Sequence, residues 1–202
     1  STLFPYTTLF RSERWPAADT IAIDATDLDY AWFKVSGLPE LRDSRQRHDL
    51  KLPAGSYTLT TPLSQTLTFR VTDDHRVDYD QSQEGTLTGK GTNTLAVHGR
   101  PVTLNTTDLD YFNTTVNGVA WPTPQAVRTY KLLPGKHLVL TPANNSVPFA
   151  VTGTGRVSYD ATWQGILTGG GSTTLAVHGF PVALDVTDLD YTNTTEIGRA
   201  HV

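Results

Sequence analysis

Clusters of acidic residues recur along the chain at an interval of about 80 residues. The clusters comprise Asp24, Asp27 and Asp29; then Asn105, Asp108 and Asp110; then Asp185, Asp188 and Asp190. Oxygen-rich side chains at this density suit Ca²⁺, which takes roughly six to eight oxygen ligands. Residues two apart share a face of a strand, so each Asp-x-Asp pair should lie side by side. The clusters therefore predict calcium sites near the junctions between repeats.

A second interpretation of the same clusters stays open. Leu28 and Tyr30 alternate with the carboxylates, which is typical of an acidic face that is solvated while the apolar residues pack inward. Thr26 or Asp27 would then shape a turn. The glycine and the distal glutamate of an EF-hand loop are missing, so that specific calcium motif is excluded.

His98 and His178 stand at matching places, each in a Thr-Leu-Ala-Val-His-Gly sequence. A catalytic histidine needs a nucleophile and an orienting acid beside it. The chain has neither a Gly-x-Ser-x-Gly motif nor any cysteine. We therefore expect each histidine to be a turn residue whose ring bonds the backbone, and the chain not to be an enzyme. The glycine clusters 89–91 and 169–171 do not have P-loop spacing, so they are interpreted as hairpin loops.

Tryptophans are the candidate ligand-binding residues, with Trp32, Trp121 and Trp163 as possible stacking surfaces for carbohydrate. None of the three is shared between the repeats. A residue that differs between copies lies outside the shared core, so it is available for binding or for packing at the rim.

Composition narrows the classes of function. The formal net charge is −4 and there are no cysteines. An acidic chain without a cluster of Lys or Arg does not fit nucleic acid or an anionic membrane as its partner. Disulfides and cysteine-ligated zinc are excluded. No apolar run is long enough to span a bilayer, so no membrane insertion is expected.

Internal repeats decide the expected domain organisation. Asp27-Leu28-Asp29-Tyr30 recurs at 108–111 and at 188–191, and the sequence 94–99 recurs at 174–179. The sequence Leu52-Pro53-Ala54-Gly55 recurs as Leu133-Pro134-Gly135. The second copy of this turn is therefore expected to be one residue shorter. These matches predict one repeat over 13–101, a second over 102–181, and the truncated start of a third over 182–196.

Alternation within the repeats predicts strands. Leu67, Phe69 and Val71 correspond to Val147, Phe149 and Val151, whereas the residues between them differ. A conserved apolar residue at every second position indicates a strand with one buried face. Pro148 lacks an N–H, so this strand should be at an edge or point that position away from the ladder. We expect an all-β fold with two tandem small antiparallel β-sandwich or barrel modules plus the first strand of a third.

The two ends of the chain have a different character. Residues 1–12 and 197–202 resemble translations of common short-read sequencing adapters, and the chain contains no methionine. We expect both segments to be artefacts, and the part between them to be a fragment of a longer protein.

The Leu-Pro-x-Gly-x-Tyr-x-Leu sequence at 52–59 is similar to hairpins in PEGA-like and carboxypeptidase-regulatory-like β-sandwich domains. The whole repeat also resembles repeats found in tandem in large bacterial surface proteins. That resemblance implies spacing, display or adhesion outside the cell, with neighbouring repeats of the same chain as partners, and it implies no chemistry. A carbohydrate-binding module that accompanies a missing catalytic domain is the alternative, with a polysaccharide or another cell-surface ligand as the partner. Apart from possible Ca²⁺, no cofactor is expected.

Overall fold

The computed structural model describes residues 20–42, 46–109, 114–119, 125–142 and 145–183. The chain forms almost only β-strands in these residues. The strand pairings separate into two groups at Gly99, so the first module comprises residues 20–98 and the second begins at residue 100. The predicted boundary after residue 101 falls within the first strand of the second module.

Module 1 contains two sheets. Its strands are β1 (Ile21–Asp27), β2 (Trp32–Val35), β3 (Glu40–Arg42), β4 (Arg47–Leu50), β5 (Gly55–Thr60), β6 (Thr66–Val71), β7 (Val77–Asp78), β8 (Leu87–Thr88) and β9 (Thr94–His98). One sheet has the order β4-β1-β9-β8 and the other has the order β3-β2-β5-β6-β7.

Module 2 repeats this arrangement, except that β3 has no counterpart among the described residues. Its strands are β10 (Arg100–Asp108), β11 (Thr115–Val116), β12 (Val127–Leu132), β13 (Gly135–Leu140), β14 (Ser146–Val151), β15 (Val157–Ser158), β16 (Leu167–Thr168) and β17 (Thr174–His178). The sheet orders are β12-β10-β17-β16 and β11-β13-β14-β15. The predicted all-β fold is confirmed.

One strand pair in each module is parallel, which differs from the expected antiparallel pairing. β1 pairs with β9 and β10 pairs with β17 in parallel, and in both pairs the register shifts near the end of the first strand. A parallel pair needs a long crossover between its strands. The rest of the module provides that crossover, because the two strands are the first and the last of the module.

Alternating burial builds the core from both sheets of each module. Ile21 and Ile23 on β1 are fully buried, as are Phe33 and Val35 on β2. These side chains belong to one hydrophobic cluster that includes residues of both modules. Burial of each is worth about 1.5–3 kcal/mol. Leu28 and Tyr30 are also buried, as the acidic-face interpretation requires, but Asp29 is buried as well, whereas that interpretation expected it to be solvated.

Module 1 explains why the second module tolerates Pro148. Thr68, at the corresponding position of β6, donates its N–H not to a strand but to Gln83 Oε1, 3.0 Å away, and its carbonyl accepts from Gln83 Nε2 at 2.9 Å. The N–H at this position therefore points away from the hydrogen bonds between the strands of the sheet, as the sequence predicted. In module 2, Pro148 has no N–H to donate, and Trp163 occupies the position that Gln83 has in module 1.

The strand registers correct the predicted position of the length difference between the repeats. Gly55 pairs with Val71 in the same way that Gly135 pairs with Val151, so the Leu-Pro-Gly turns have equal length. Val35 and Val116 are 81 residues apart, whereas Arg47 and Val127 are 80 apart. The missing residue therefore lies between those two positions.

Helical structure in the described residues is limited to short 3-10 turns, Gln81–Gln83 and Ala161–Trp163. In each turn an aspartate, Asp80 or Asp160, caps the start by accepting the N–H two residues on. None of the described helical segments has the length and apolar character that crossing a bilayer requires.

Candidate functional site

The Asp-Leu-Asp-Tyr motif of module 1 lies at the junction with module 2. It contacts the head of module 2, which we define as residues 131–137, the end of β12 and the start of β13. Asp27 Oδ1 lies 3.2 Å from Lys131 Nζ. Asp29 and Tyr30 contact the backbone of the same segment. The motif therefore joins the modules.

Asp29 is buried, with 6 % of its surface exposed, and it binds the backbone of Lys131 at two points. Its carboxylate Oδ2 accepts from the Lys131 N–H at 2.7 Å, and its own N–H donates to the Lys131 carbonyl at 3.0 Å. A bond to a charged acceptor in a buried place is among the stronger hydrogen bonds in proteins. This pair of bonds fixes the end of β12 against module 1.

Tyr30 extends the contact into a chain of hydrogen bonds. Its hydroxyl accepts from the Leu133 N–H at 2.9 Å and donates to Gln65 Oε1 at 2.8 Å. The Gln65 amide nitrogen then donates to the Lys136 carbonyl at 3.2 Å. Burial is the main cause that raises the pKa of Tyr30, so the hydroxyl stays neutral and available as a donor.

His137 lies buried at the inner side of this junction. Its Nδ1 is 2.9 Å from Asn117 Nδ2, and Asn117 Oδ1 accepts from the Leu138 N–H. Because the amide nitrogen can only donate, Nδ1 is the acceptor and Nε2 carries the proton, which it donates to the Leu133 carbonyl at 2.8 Å. Burial lowers the pKa of His137 to about 4, partly opposed by the Leu133 bond. The ring is therefore neutral near pH 7.

Gly99 lets the two backbones approach at the junction. A Cβ at this position would lie 2.5 Å from the Lys131 carbonyl carbon and 2.8 Å from the Leu132 nitrogen. The Gly99 N–H also donates to the Asp27 carbonyl at 3.0 Å. No side chain fits here unless one of the two backbone segments shifts.

Gly99→Ala is expected to lower the free energy of unfolding by about 1–3 kcal/mol, because it overpacks a backbone contact that cannot relax locally. Gly153→Ala is the matched control, since a Cβ there would meet nothing within 4 Å. Urea unfolding of both variants checks this. Equal stability of the two variants would contradict the close approach at Gly99.

Asp24 makes a local turn instead of joining the junction. Its Oδ1 accepts from the Thr26 hydroxyl at 2.7 Å and from the Thr26 N–H at 3.1 Å, and these bonds lower its pKa. Asn105, the equivalent residue of module 2, makes the same two bonds to Thr107. Because the amide oxygen of Asn105 accepts the same two hydrogen bonds, this position requires a hydrogen-bond acceptor and not a negative charge.

The carboxylates predicted to bind calcium therefore have other partners. Asp27 and Asp29 both meet Lys131, one at its ammonium and the other at its backbone N–H. Among the residues that the structure describes, no three His, Asp or Glu side chains group closely enough to hold a metal ion. Asp108 lies 3.2 Å from His178. Calcium binding by the acidic clusters stays a prediction, and the remaining predicted ligands lie outside the described residues: Asp110, Asp185, Asp188 and Asp190.

The rings of His98 and His178 contact side chains, which corrects the expectation that they bond the backbone. His98 Nδ1 lies 3.3 Å from Asp27 Oδ2, and Nε2 lies 2.8 Å from the Thr88 hydroxyl. In module 2 the distances from His178 are 3.2 Å to Asp108 and 2.8 Å to the Thr168 hydroxyl. Spacing along the chain does not reveal these partners, because in each module they come from two other strands.

A hydroxyl, an imidazole and a carboxylate in this order resemble the relay of a nucleophilic hydrolase. Here the three groups tie β8, β9 and β1 together at the place where the parallel register shifts. Both modules contain the same arrangement, and none of its members lines the four grooves named below. The geometry fits a cross-strand tie of the fold.

The predicted aromatic ligand residues are not brought together. Trp32 lies on β2 of module 1, and Trp163 lies in the 3-10 turn of module 2, where it packs partly against the core. Trp121 lies outside the described residues. The glycine clusters are confirmed as hairpin loops: a Cβ on Gly89 or Gly169 would lie about 2 Å from a carbonyl of the following strand.

Equivalent grooves of the two modules differ in chemistry. The groove of module 1, about 500 Å³, has charged residues at its rim, among them Arg70, Asp78 and Lys90. The groove of module 2, about 550 Å³, has Ala150 and Ser158 at the first two of these positions. Both keep an aromatic floor, namely Phe69 with Tyr79 and Phe149 with Tyr159.

Two further grooves lie on the surfaces that face the next module. One, of about 370 Å³, is lined by residues of both modules, among them Gln83, Thr86, Leu133 and Pro134. The other, of about 570 Å³, lies on module 2 and is lined by Thr162, Trp163, Gln164, Ile166 and Phe180.

Sequence reasoning missed Gln65, Lys131 and His137, which are central to the junction. The recurrence of Lys-Leu at 51–52 and 131–132 was an available signal for Lys131. Gln65 and His137 carry no such signal, because the corresponding residues are Asn145 and Tyr57.

Comparisons of the chain with protein-family models, with curated proteins and with solved structures found no match.

Proposed function

We propose that the chain is a non-catalytic structural or adhesive repeat segment of a larger extracellular surface protein, in which tandem β-modules act as a stiff spacer. The observation that carries this proposal is the junction. The residues that recur as Asp-Leu-Asp-Tyr in the sequence are those that bind the backbone of the next module. Because the motif that joins the two modules recurs along the chain, successive modules would be held at a regular spacing.

The hydrogen bonds across the junction support a stiff connection between the two modules. Asp29 forms paired hydrogen bonds to the backbone of Lys131, and Tyr30 bonds the N–H of Leu133, so rotation about the junction would break several buried bonds at once. A loosely linked pair of domains would have a polar, mobile interface. Lys131 completes the joint by neutralising Asp27.

The absence of catalysis is part of the proposal. The Thr-His-Asp arrangement occurs at the same place in both modules and connects neighbouring strands in each. Duplication of a cross-strand tie is what a repeated fold requires, whereas an active site needs a cleft that holds the substrate.

The spacer function predicts one fixed distance between the modules. Spin labels on Asp73→Cys and Gly153→Cys, which occupy equivalent exposed positions and would be the only cysteines, should give a single narrow distance distribution in a pulsed electron resonance measurement. Asp29→Ala in the labelled chain should widen it. A broad distribution in the parent chain would overturn the stiff spacer.

Carbohydrate binding is the second candidate, and the groove of module 1 favours it. Tyr57 and Phe69 stack with ring centroids 5.5 Å apart, and Lys90 lies 5.6 Å from the centre of the Tyr79 ring. Aromatic faces beside charged hydrogen-bonding groups suit a sugar. Titration with plant and bacterial oligosaccharides, followed by NMR, should shift the amides of Arg70 and Lys90. Unshifted amides would exclude this groove as a sugar site.

A further inference from the structure

Module 2 carries an exposed apolar surface at the end that faces away from module 1. We call this surface the tail patch and define it as Trp163, Ile166 and Phe180, which line one groove of about 570 Å³. Phe180 has 47 % of its surface exposed and is one of few large apolar side chains so exposed among the described residues. Exposed apolar grooves of this kind mark interaction sites more often than ordinary surface.

The strand registers identify what covers the corresponding surface of module 1. Gln83 and Thr86 correspond to Trp163 and Ile166, 80 residues on. In module 1 these residues line the groove between the modules, and Leu133 and Pro134 of module 2 line the same groove. The turn before β13 thus already faces the equivalent of the tail patch once within the chain.

We propose that the tail patch binds the corresponding turn of module 1 in a second copy of this chain. We call that turn, residues 51–55, the head turn. The inference rests on the proposed spacer function, because it extends the observed junction to the next copy. Such a contact is head-to-tail, so it would build open chains of molecules and not closed dimers.

The two surfaces match in chemistry as well as in position. Where the internal junction has Gln83, Thr86 and Arg100, the tail patch has Trp163, Ile166 and Phe180. On the other side, the head turn has Pro53 and Ala54, both exposed, at the positions of Leu133 and Pro134. Pro53 has no N–H, so the hydrogen bond that Leu133 gives to Tyr30 has no counterpart. Apolar burial is therefore expected to contribute more to this contact than it does within the chain.

Charge complements the apolar contact. Lys51 is exposed and corresponds to Lys131, which lies 3.2 Å from Asp27. Asp108 of module 2 corresponds to Asp27, and like Asp27 it lies beside a histidine. A Lys51–Asp108 pair between two copies would reproduce the ion pair of the internal junction and set the register of the contact.

Sedimentation velocity of the full chain from about 10 to about 500 μM tests the proposal. The weight-average mass should rise with concentration. The double variant Trp163→Gln, Phe180→Arg carries the residues that the internal junction has at these places, and it should need a concentration at least about tenfold higher to associate. Val127→Arg is the matched control: it also exchanges an exposed apolar residue for its module 1 equivalent, but it lies at the opposite end of β12 from the junction.

Charge reversal provides an independent test. Lys51→Glu and Asp108→Lys should each weaken association, and an equimolar mixture of the two should recover it, because the altered head of one fits the altered tail of the other. Circular dichroism verifies that every variant is folded. A chain that stays monomeric throughout, or a double variant that associates like the parent, would overturn the inference. If the chain is monomeric while the spin-label distance remains narrow, the spacer function stands and only the docking of a second copy fails.

Discussion

Asp29→Ala is expected to lower the free energy of unfolding by about 2–3 kcal/mol, the largest effect among the acidic residues that the structure describes. The reason is that the carboxylate accepts the buried N–H of Lys131 at 2.7 Å, and alanine leaves that donor without a partner. Urea unfolding of the full chain, followed by tryptophan fluorescence, measures the change.

Two further variants distinguish the loss of the Asp29 hydrogen bond at the junction from a general effect of removing a negative charge. Asp73→Ala removes an exposed carboxylate of the same module and should change stability by less than about 0.5 kcal/mol. Asp29→Asn keeps an acceptor oxygen and should fall between the parent and alanine. If Asp29→Ala and Asp73→Ala behaved alike, the junction would not depend on this bond.

Acid is expected to weaken the protein through His137. The folded-state pKa of about 4 lies below the ordinary value of 6.5, so the unfolded chain binds more protons between these pH values. Stability is therefore complete above pH 6.5 and is lost as the pH falls toward 4. Between pH 7 and 4.5 the loss from this group is about 2 kcal/mol. Protonation would also cost the bond that Nδ1 accepts from Asn117.

His137→Tyr is the control for this effect. Tyr57 occupies the same place in module 1, and its hydroxyl donates to the Pro53 carbonyl at 2.7 Å, just as His137 donates to the Leu133 carbonyl. Urea unfolding at several pH values above 4.5 isolates the histidine, because Asp24 and Asp160, whose pKa values are lowered, lose their contribution only below 3.8. A variant with the same pH dependence as the parent would exclude His137 as the cause.

The sequence by itself determined the strands and the repeat. The alternation at Leu67, Phe69 and Val71 is a local property, because every second side chain of a strand faces the same sheet surface. The recurrence of Asp-Leu-Asp-Tyr likewise predicted that modules meet near the acidic clusters. Pro148 was interpreted correctly for the same reason: a missing N–H has one consequence wherever it occurs.

Only the tertiary structure decided what the acidic residues do. Asp27 and Asp29 have the composition of a calcium site, but their partner is a lysine about 100 residues away in sequence, in the next module. The partners of His98 come from β1 and β8, which lie on either side of β9 in the sheet. Spacing along the chain cannot reveal such contacts, because the parallel pairing of first and last strand brings distant residues together. The same holds for Trp163: its type suggested carbohydrate binding, and only the strand register shows that it occupies the position of Gln83, which lines the groove between the modules.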